Sequence, residues 1–441
     1  MNIDLIEGNG SFYFIGAGGT SMSALASLVI SLGKKAGGSD LRQSVYTDEL
    51  VKNGAEISFS DDPTDIDGYD AVIYTDAVRA DDARLLRAHK LKKLVLSRGE
   101  FLGEICGLFK KVTAVAGCHG KTTCTAMLAH VYAAAGKKFA MHAGGRDSYF
   151  GNFFISGNDR LITEACEYKK NFLYLKPDTA VILNTEPDHL ECYGSEEKLR
   201  EAYRAFASSA SKTVVKYGCN IDGITFGYDV NADYSACRVC CDKGIYTFTA
   251  CLHGSELGQI TVGVYGEHNV MNALAVAAAA HSDGIPFDAI KSGIENFCGV
   301  ERRMELIGSI NGAKCIADYA HHPTEIMATL SALKIVGAER LFVVFQPHTY
   351  SRTKNLFGAF TEVLSDVKDL MIYRTFAARE YFDDAGSALT LSQNLSNSAY
   401  GDDPRDIEIF LSEAGKNDVI LFLGAGDIYD IAKQIIAKRS E

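Results

Sequence analysis

The chain has 441 residues, of which 47% are hydrophobic and 23% are charged, and its formal net charge is −12. This length suits two or three domains of ordinary size, and the composition is that of a globular protein. The negative charge argues against a broad basic face for nucleic acid, although a local pocket can still bind a small anion. We therefore expect no nucleic-acid partner.

The sequence also indicates in which cellular compartment the protein is expected. No apolar run approaches the ~20 residues needed to span a bilayer, and the N-terminal stretch MNIDLIEGNG carries two acids and no basic residue. We predict neither a membrane span nor a secretory signal. The 12 cysteines are spread along a long chain, which is typical of reduced thiols rather than a disulfide framework. We expect a cytoplasmic protein that does not bind membranes.

The first hundred residues alternate strand and helix signals. The apolar stretch SFYFI runs into glycines, TSMSALASLVISLG is helical and ends on Gly33, and YDAVIYTDAV and KKLVLS contain short apolar strands. Strands that alternate with helices imply a parallel sheet.

Two further alternations follow along the chain. The second begins at VTAVA, continues through DRLITEACE and PDTAVILNTEPDH, becomes hairpin-like between about residues 222 and 264, and ends in the Ala-rich helix EHNVMNALAVAAAAHSDG. The third contains AKCIAD, LFVVF, DLMIY and VILFL. We predict an α/β fold of three domains, 1–106, 107–300 and 301–441, whose clefts collect the ligands.

The stretch VTAVAGCHGKTT predicts a strand, a glycine-bearing loop and the start of a helix. The strict P-loop pattern would place its first glycine at Val115, whereas here the glycine is Gly117. Backbone N–H groups of such a loop and of the helix N-terminus bind phosphate oxygens. Lys121 then reaches the β- and γ-phosphates, and Thr122 offers a hydroxyl to magnesium. We expect phosphate binding; the alternative is a capped helix with a chance lysine.

Acids and a histidine follow two neighbouring predicted strands. Glu164 and Glu167 follow RLIT, and the next strand ends in Glu186, Asp188 and His189. Magnesium prefers hard oxygen ligands. Each residue alone is typical of a solvated loop, but the set beside a phosphate-binding loop favours metal coordination.

The densest cysteine group is CRVCC, Cys237–Cys241, with Cys219, Cys251 and His253 nearby. A zinc site is conceivable, but closed zinc sites usually show two spaced ligand pairs, and a second pair is missing. Because the surrounding residues have strand-like composition about a Lys-Gly turn, a hairpin of small apolar residues is the favoured interpretation. Whether this group binds metal stays open in the sequence.

The N-terminal loop IGAGGTSMSALA reads G-x-G-G rather than G-x-G-x-x-G, with Asp40 following where a ribose-binding acid could stand. This is a weak dinucleotide signal. A nicotinamide-dependent oxidoreductase would read this way, but it leaves Lys121 and Thr122 without a role. A non-catalytic nucleotide-binding scaffold is a further alternative.

Several segments, in order along essentially the whole chain, resemble the Mur ligases of peptidoglycan synthesis. They are GCHGKTT, EACE…NTEPDHLECYG, GEHNVMNALA, ERRMELIG, DYAHHPTEI, FQPHTYSRT, FAARE and GAGDI. HHPTE and QPHTYSRT, together with GAGGTSMS, are similar to the alanine-adding branch. A sibling branch that attaches a murein tripeptide to the same nucleotide sugar shares many of these motifs and is the alternative.

The resemblance implies a Rossmann-like UDP-sugar-binding domain, a central P-loop ATPase domain and a C-terminal Rossmann-like domain that docks the amino acid. It implies that ATP phosphorylates the lactyl carboxylate of UDP-N-acetylmuramate and that the amine of L-alanine attacks the acyl phosphate. A carboxylate is a poor electrophile and a mixed anhydride with phosphate is a good one, so positioning and charge neutralisation dominate. ATP and Mg²⁺ are the implied cofactors, and we expect a monomer or weak homodimer.

The resemblance also implies residue roles. Magnesium would be held by Thr122, Glu164 and His189, with Glu167 behind them, and the catalytic group would be Lys121, Glu164 and His189. The residues implied to bind ATP are Gly117, Cys118, His119, Gly120, Lys121, Thr122, Thr123, Asn269, Asn272, Arg302, Asp318 and His322. Helix capping explains one of the two asparagines but not both.

For the other two substrates, the resemblance implies separate sites. The UDP diphosphate would be held by the backbone of Gly18, Gly19, Thr20 and Ser21, with Ser39 and Asp40 toward the nucleoside. A carboxylate needs an arginine fork and an ammonium needs an acceptor. The candidates for binding alanine are His348, Arg352, Arg379 and Glu380, although a solvated arginine is the default for any one of them.

Overall fold

The computed structural model of the protein describes residues 8–187, 190–334, 337–378 and 380–440. Contacts divide the chain into two compact units, each assembled from several segments. The first comprises Met1–Val239, Thr247–Gly263 and Val270–Cys298, and the second comprises Cys240–Tyr246, Val264–Asn269 and Gly299–Glu441. The described residues form a 5-stranded, a 10-stranded and a 6-stranded β-sheet.

The first sheet contains β1 (Ser11–Ile15), β2 (Lys35–Ser39), β3 (Glu56–Ser58), β4 (Ala71–Tyr74) and β5 (Leu94–Ser97). They are connected by α1 (Thr20–Ser31), α2 (Val45–Lys52), a 3₁₀ helix (Pro63–Ile66) and α3 (Ala83–Lys90), and α4 (Arg98–Cys106) follows. The strand order is β3-β2-β1-β4-β5 and every pair is parallel. The order reverses at β1, so the glycine loop after β1 lies at the switch point where such sheets bind ligands.

The central strand β1 is buried on both faces. Phe12 and Phe14 pack against Phe101 on one face, and Tyr13 packs against Tyr69 on the other. Side chains alternate across a strand, so a strand covered on both faces is apolar throughout rather than alternating.

The second sheet contains β6 (Val112–Ala116), β7 (Ala140–Asp147), β8 (Gly151–Ile155), β9 (Leu161–Glu164), β10 (Thr179–Ile182), β11 (Lys212–Lys216), β12 (Ile224–Gly227), β13 (Tyr234–Asp242), β14 (Ile245–Leu252) and β15 (Ser255–Thr261). Its helices are α5 (Lys121–Ala134), a 3₁₀ helix (Tyr168–Tyr174), α6 (Leu190–Tyr193), α7 (Glu196–Ser208), α8 (His268–Ser282) and α9 (Phe287–Glu295). The strand order is β15-β14-β13-β12-β11-β10-β6-β9-β7-β8. Strand β6 lies between β10 and β9, parallel to both, and all of its residues are buried.

The third sheet contains β16 (Glu305–Ile310), β17 (Ala313–Asp318), β18 (Leu341–Phe345), β19 (Asp369–Tyr373), β20 (Ser398–Gly401) and β21 (Val419–Leu423). Its helices are α10 (Pro323–Lys334), α11 (Tyr350–Asn355), α12 (Phe357–Ser365), α13 (Ala388–Gln393), α14 (Pro404–Phe410) and α15 (Ile428–Ser440), with 3₁₀ helices at Asp384–Gly386 and Leu411–Glu413. The order is β16-β17-β21-β18-β19-β20, and only the β16–β17 pair is antiparallel.

Local signals predicted several element ends correctly. Gly33 follows the end of α1 with φ +74°, the left-handed conformation of a helix-terminating glycine. Lys243 and Gly244 both have positive φ between β13 and β14, which matches the tight hairpin turn predicted for them. The Ala-rich helix is α8. Within the described part of the chain, no helix is both long and apolar enough to cross a membrane.

Candidate active site

The loop between β6 and α5 has the geometry of a phosphate-binding loop. Gly117 has φ +141° and Gly120 has φ +83°, backbone conformations that other residues rarely adopt. Lys121 is the first residue of α5, and the segment 118–123 is half-buried rather than enclosed. The free N–H groups of the first helical turn therefore lie next to accessible space, where an anion is stabilised.

Asn184, which the sequence reasoning missed, holds this loop in place. Its side-chain oxygen accepts the N–H of Cys118 at 2.7 Å, and its amide nitrogen donates to the carbonyl of His119 at 3.2 Å. Asn184 follows β10, and β10 pairs with β6. The sequence feature that could have indicated Asn184 is its position just after a predicted strand, two residues before Glu186.

The ammonium of Lys121 is fully engaged within the protein. It donates to the carbonyls of Gly117 at 2.5 Å and Cys118 at 3.1 Å. It also lies 3.1 Å from Oε1 and 3.0 Å from Oε2 of Glu167, and the first of these contacts has hydrogen-bond geometry. Burial acts to lower the pKa of Lys121, but the charges of Glu167, Cys166 and Glu164 outweigh burial and raise it. Lys121 is therefore a charged group held toward the loop.

Glu167 is placed to hold Lys121, and this pairing gives a prediction. The Glu167 side chain is almost completely buried, and breaking a buried ion pair is costly because the remaining charge loses its partner. We expect Glu167→Gln to lower the melting temperature by roughly 5 °C, measured by differential scanning fluorimetry without nucleotide.

A double variant supplies the control. Adding Lys121→Met to Glu167→Gln removes the unpaired ammonium, so the double variant should melt above the Glu167→Gln protein. If the two substitutions lowered the melting temperature additively, the pair would not be an energetic unit.

Glu164 ends β9, in register beside Val115 of β6. Its Oε1 accepts the backbone N–H of Gly144. A Cβ atom at Gly144 would lie only 2.9 Å from Oε2 of Glu164, so the missing side chain makes room for this carboxylate. The backbone thus orients Glu164 at the edge of the sheet where the phosphate loop begins.

The donor set near the loop fits a hard cation. Glu164 supplies carboxylate oxygens, and Thr122 supplies a hydroxyl in the first turn of α5, which are the ligand types that Mg²⁺ prefers. The third predicted ligand, His189, lies outside the described residues, as does Asp188. Among the residues described, no group of three or more His, Cys, Asp or Glu is arranged to hold a metal. Glu186 instead lies 3.5 Å from His119.

The two asparagines of α8 have different environments. Asn272 lies against the phosphate loop, because a Cβ at Gly120 would be 2.5 Å from its side-chain oxygen. The side-chain nitrogen of Asn269 donates to the carbonyl of Tyr265 at 2.7 Å, a local bond one helical turn away. The structure brings Asn272 to the predicted phosphate site, and the adenine-reading role of both stays a prediction.

The predicted UDP-sugar residues lie around the glycine loop after β1. Gly18 donates its N–H to Asp40 at 2.8 Å, Gly19 is the N-cap of α1, and Thr20 begins that helix. The second oxygen of Asp40 accepts the N–H of Leu41 at 2.7 Å. The Asp40 carboxylate therefore stabilises the loop, and its contact with a nucleoside stays a prediction.

Two further side chains of this predicted site form hydrogen bonds with other side chains of the protein. Ser39 is fully buried and accepts from Arg84 at 2.9 Å, and Ser21 lies 2.9 Å from Nε2 of His142. Arg84 and His142 were not predicted from sequence, because both act across elements that are distant along the chain.

In the second unit, Arg302 and Asp318 lie at the same end of the third sheet. The carboxylate of Asp318 accepts the N–H groups of Met304 and Ala320, each at 2.8 Å, and burial raises its pKa. The guanidinium of Arg302 lies over the Tyr429 ring, 4.5 Å from its centroid.

His322 precedes α10. Its backbone N–H donates to Glu325 at 3.3 Å, and its Nδ1 accepts the N–H of Thr324 at 3.4 Å. The nucleotide contacts of Arg302, Asp318 and His322 stay predictions.

The predicted alanine-binding residues cluster after β18 and β19. His348 lies 3.4 Å from Nη1 of Arg352, and Glu380 accepts both the N–H and the hydroxyl of Ser351. Burial, then the charges of His321 and Arg352, lower the pKa of His348 to about 4, so its imidazole is neutral at pH 7. Arg379 lies outside the described residues.

The cysteine group has the predicted hairpin environment. Sγ of Cys251 lies 3.2 Å from Sγ of Cys237, on the adjacent strand, and Cys240 and Cys241 are exposed. Burial raises the pKa of Cys251 to about 11. The described residues show no metal-ligand group here.

Regions along most of the chain match known protein families. Residues 11–110 match the Mur ligase family catalytic domain, residues 115–280 match the Mur ligase middle domain, and residues 302–426 match the Mur ligase glutamate ligase domain. These matches agree with the predicted three-domain α/β architecture. The exact domain bounds of 1–106, 107–300 and 301–441 stay a prediction.

Individual relatives extend this agreement. The chain is 35% identical to the UDP-N-acetylmuramate–L-alanine ligase of Clostridium beijerinckii, across 96% of this chain and 97% of that relative. A crystal structure of UDP-N-acetylmuramate–alanine ligase from Thermotoga maritima aligns with a TM-score of 0.86 and 28% identity, covering 98% of this chain and 99% of that one. A murein peptide ligase from Psychrobacter arcticus shares the fold, with a TM-score of 0.75, 22% identity and coverage of 97% and 98%. The chain belongs to the Mur ligase family.

Proposed function

We propose that the protein joins the amine of L-alanine to the lactyl carboxylate of UDP-N-acetylmuramate and releases ADP and phosphate, as a step of peptidoglycan precursor synthesis. The observation that carries this is the full-length similarity to relatives named for that activity, at 34–36% identity. The Mur ligases are ATP-dependent ligases, and the loop from Gly117 to Lys121 is the part of the chain suited to ATP phosphates. A tripeptide-adding ligase is not favoured, because these relatives are alanine ligases.

The chemistry requires an activated carboxylate. A lactyl oxygen attacks the γ-phosphorus of ATP and ADP leaves, giving an acyl phosphate. The alanine nitrogen then attacks the carbonyl carbon, loses its proton, and phosphate departs from the tetrahedral intermediate. The charged ammonium of Lys121 and the N–H groups of α5 stabilise the negative charge on the phosphates.

Magnesium is part of the proposal. Thr122, Glu164 and His189 would hold it, and it would neutralise charge on the β- and γ-phosphates. The carboxylate of Glu164, which accepts the N–H of Gly144, would supply a charged oxygen ligand. The cytoplasmic location and the monomeric or weakly dimeric state stay predictions.

The test is ADP release measured with a coupled assay. Release should require UDP-N-acetylmuramate and L-alanine together, and mass spectrometry should show UDP-N-acetylmuramoyl-L-alanine as the product. Faster turnover with L-Ala-γ-D-Glu-meso-diaminopimelate than with alanine would favour the peptide ligase. Absence of ADP release with either acceptor would contradict the proposed ligase activity. Serine and glycine belong in the same panel, since a pocket discriminates one methyl by only about 1–3 kcal/mol.

A further inference from the structure

A series of hydrogen bonds connects five residues of the first unit. Arg98 lies 3.3 Å from the hydroxyl of Ser21, which lies 2.9 Å from Nε2 of His142. Nδ1 of His142 lies 2.8 Å from the hydroxyl of Thr163, which lies 3.2 Å from the carbonyl oxygen of Glu164. His142 and Thr163 are 2% and 0% exposed. These hydrogen bonds therefore join α4, the first turn of α1, β7 and β9, and the two central side chains are buried.

The hydrogen bond from the Thr163 hydroxyl to the carbonyl of Glu164 sets the direction of the other bonds in this series. A guanidinium only donates, so Arg98 donates to Ser21. A carbonyl oxygen only accepts, so the Thr163 hydroxyl donates to Glu164 and accepts from His142. His142 then carries its proton on Nδ1, and its bare Nε2 accepts the hydroxyl proton of Ser21. Burial, with a smaller contribution from Arg98, lowers the pKa of His142 to about 3, in accord with a neutral ring.

This series of hydrogen bonds reaches both the predicted UDP-sugar site and the predicted phosphate site. Ser21 lies in the first turn of α1, where the UDP diphosphate is predicted to bind. Thr163 immediately precedes Glu164, and the carboxylate of Glu164 accepts from Gly144, two residues beyond His142. One short segment of β7 thus contacts both the loop at Ser21 and the carboxylate at Glu164.

A second set of hydrogen bonds also connects α1 to the second sheet, but it does not involve the Ser21 side chain. The side-chain nitrogen of Asn152, on β8, donates to the carbonyl of Thr20 at 2.7 Å and to the hydroxyl of Ser23 at 2.9 Å. Asn152 therefore holds α1 against the second sheet through residues on either side of Ser21. Among the described residues, the Ser21 hydroxyl itself contacts His142 and Arg98, and of these two only the His142 ring can accept its proton.

We propose that His142 is a positioning residue for the ligation, and that its neutral imidazole sets the N-terminal turn of α1 in register with Glu164. The lactyl carboxylate of the bound sugar nucleotide is thereby brought toward the γ-phosphate of ATP. This inference rests on the proposed function, because it assumes that the sugar nucleotide binds at the loop containing Ser21.

Three substitutions of His142 separate its two hydrogen bonds. In His142→Gln, the side-chain amide reaches about as far as Nε2 and can still accept from Ser21. In His142→Asn, the shorter amide stands near Nδ1 and can still donate to Thr163. His142→Val removes both bonds, and His89→Val, on the exposed face of α3, is the matched control.

Steady-state kinetics of the whole protein should distinguish these variants through KM for UDP-N-acetylmuramate. We expect KM for UDP-N-acetylmuramate to rise about tenfold in the Val and Asn variants, the equivalent of losing one partner of a buried hydrogen bond. KM for ATP should stay within about twofold, and the Gln variant should recover most of the wild-type KM. Equal rises in both KM values, or a Gln variant no better than Val, would overturn the positioning role.

The tautomer supplies a readout that does not depend on activity. With ¹⁵N-labelled histidine, the ring signal missing from His142→Gln identifies His142, and it should show a protonated Nδ1 and a bare Nε2. Ser21→Ala should shift the Nε2 signal. A ring protonated on Nε2 would overturn the inference even if the enzyme ligates alanine, whereas the expected tautomer in a protein without ligase activity would count against the proposed function alone.

Discussion

Replacing Lys121 by methionine is expected to reduce the ligation rate by about a thousandfold or more. Methionine keeps much of the length and volume of the side chain and removes the ammonium. In the wild-type protein that ammonium is held at the loop by the carbonyls of Gly117 and Cys118 and by Glu167, so it needs no large movement to meet a phosphate. The measurement is ADP release at saturating concentrations of all three substrates.

The control for this variant lies just beyond the end of the same helix. Lys137→Met removes an exposed lysine beyond the far end of α5 and should leave turnover unchanged. Calorimetric titration of Lys121→Met with UDP-N-acetylmuramate should give a Kd within about twofold of wild type, because the predicted UDP loop belongs to the first sheet. Turnover within tenfold of wild type would show that Lys121 does not stabilise the transferred phosphoryl group.

The phosphate loop could be predicted because its signal is local. A buried strand, two glycines with positive φ and a lysine that opens a helix lie within a dozen residues, and each follows from backbone sterics or from the orphan N–H groups of a helix start. Several apolar strands, among them β1, β6 and β18, were recognisable for a similar reason, since apolar runs bounded by turn residues do not depend on distant partners. The strands β2 and β3, which lack an apolar run, were not predicted.

Asn184 and His142 could not be predicted, because their roles depend on which strands become neighbours. Asn184 meets Cys118 from 66 positions along the chain, and His142 meets Ser21 from 121 positions away. An apolar pattern indicates that a strand is buried, but it does not indicate the order of strands in the sheet. A histidine within an apolar run therefore reads as a core residue until the sheet order is known.

The paired acids illustrate a further limit. Glu164 and Glu167 were grouped as metal-site candidates because they are close in sequence and follow one strand. In the structure, Glu164 is fixed by the N–H of Gly144, whereas Glu167 pairs with Lys121. The strand ends at Glu164, so the alternation that would relate the two side chains no longer applies at Glu167.

Replacing Glu164 by glutamine is expected to lower turnover by about a hundredfold and to raise the Mg²⁺ concentration needed for half-maximal activity at least tenfold. Glutamine retains an oxygen that can accept the N–H of Gly144, so the backbone around β7 and β9 should persist. What it loses is the negative charge that a hard divalent cation requires. The variant therefore separates the ligand role of Glu164 from its structural role.

The measurement is a Mg²⁺ titration of ADP release, with Glu201→Gln on the exposed face of α7 as the matched control. Because the Gly144 bond survives, the melting temperature of Glu164→Gln without metal should stay close to wild type. If turnover stayed low in excess Mg²⁺ and the melting temperature also fell, the role of Glu164 would be to stabilise the fold rather than to bind the metal. An unchanged Mg²⁺ requirement with full turnover would remove it from the metal site, and the cation would then have to be held by other oxygens around Thr122.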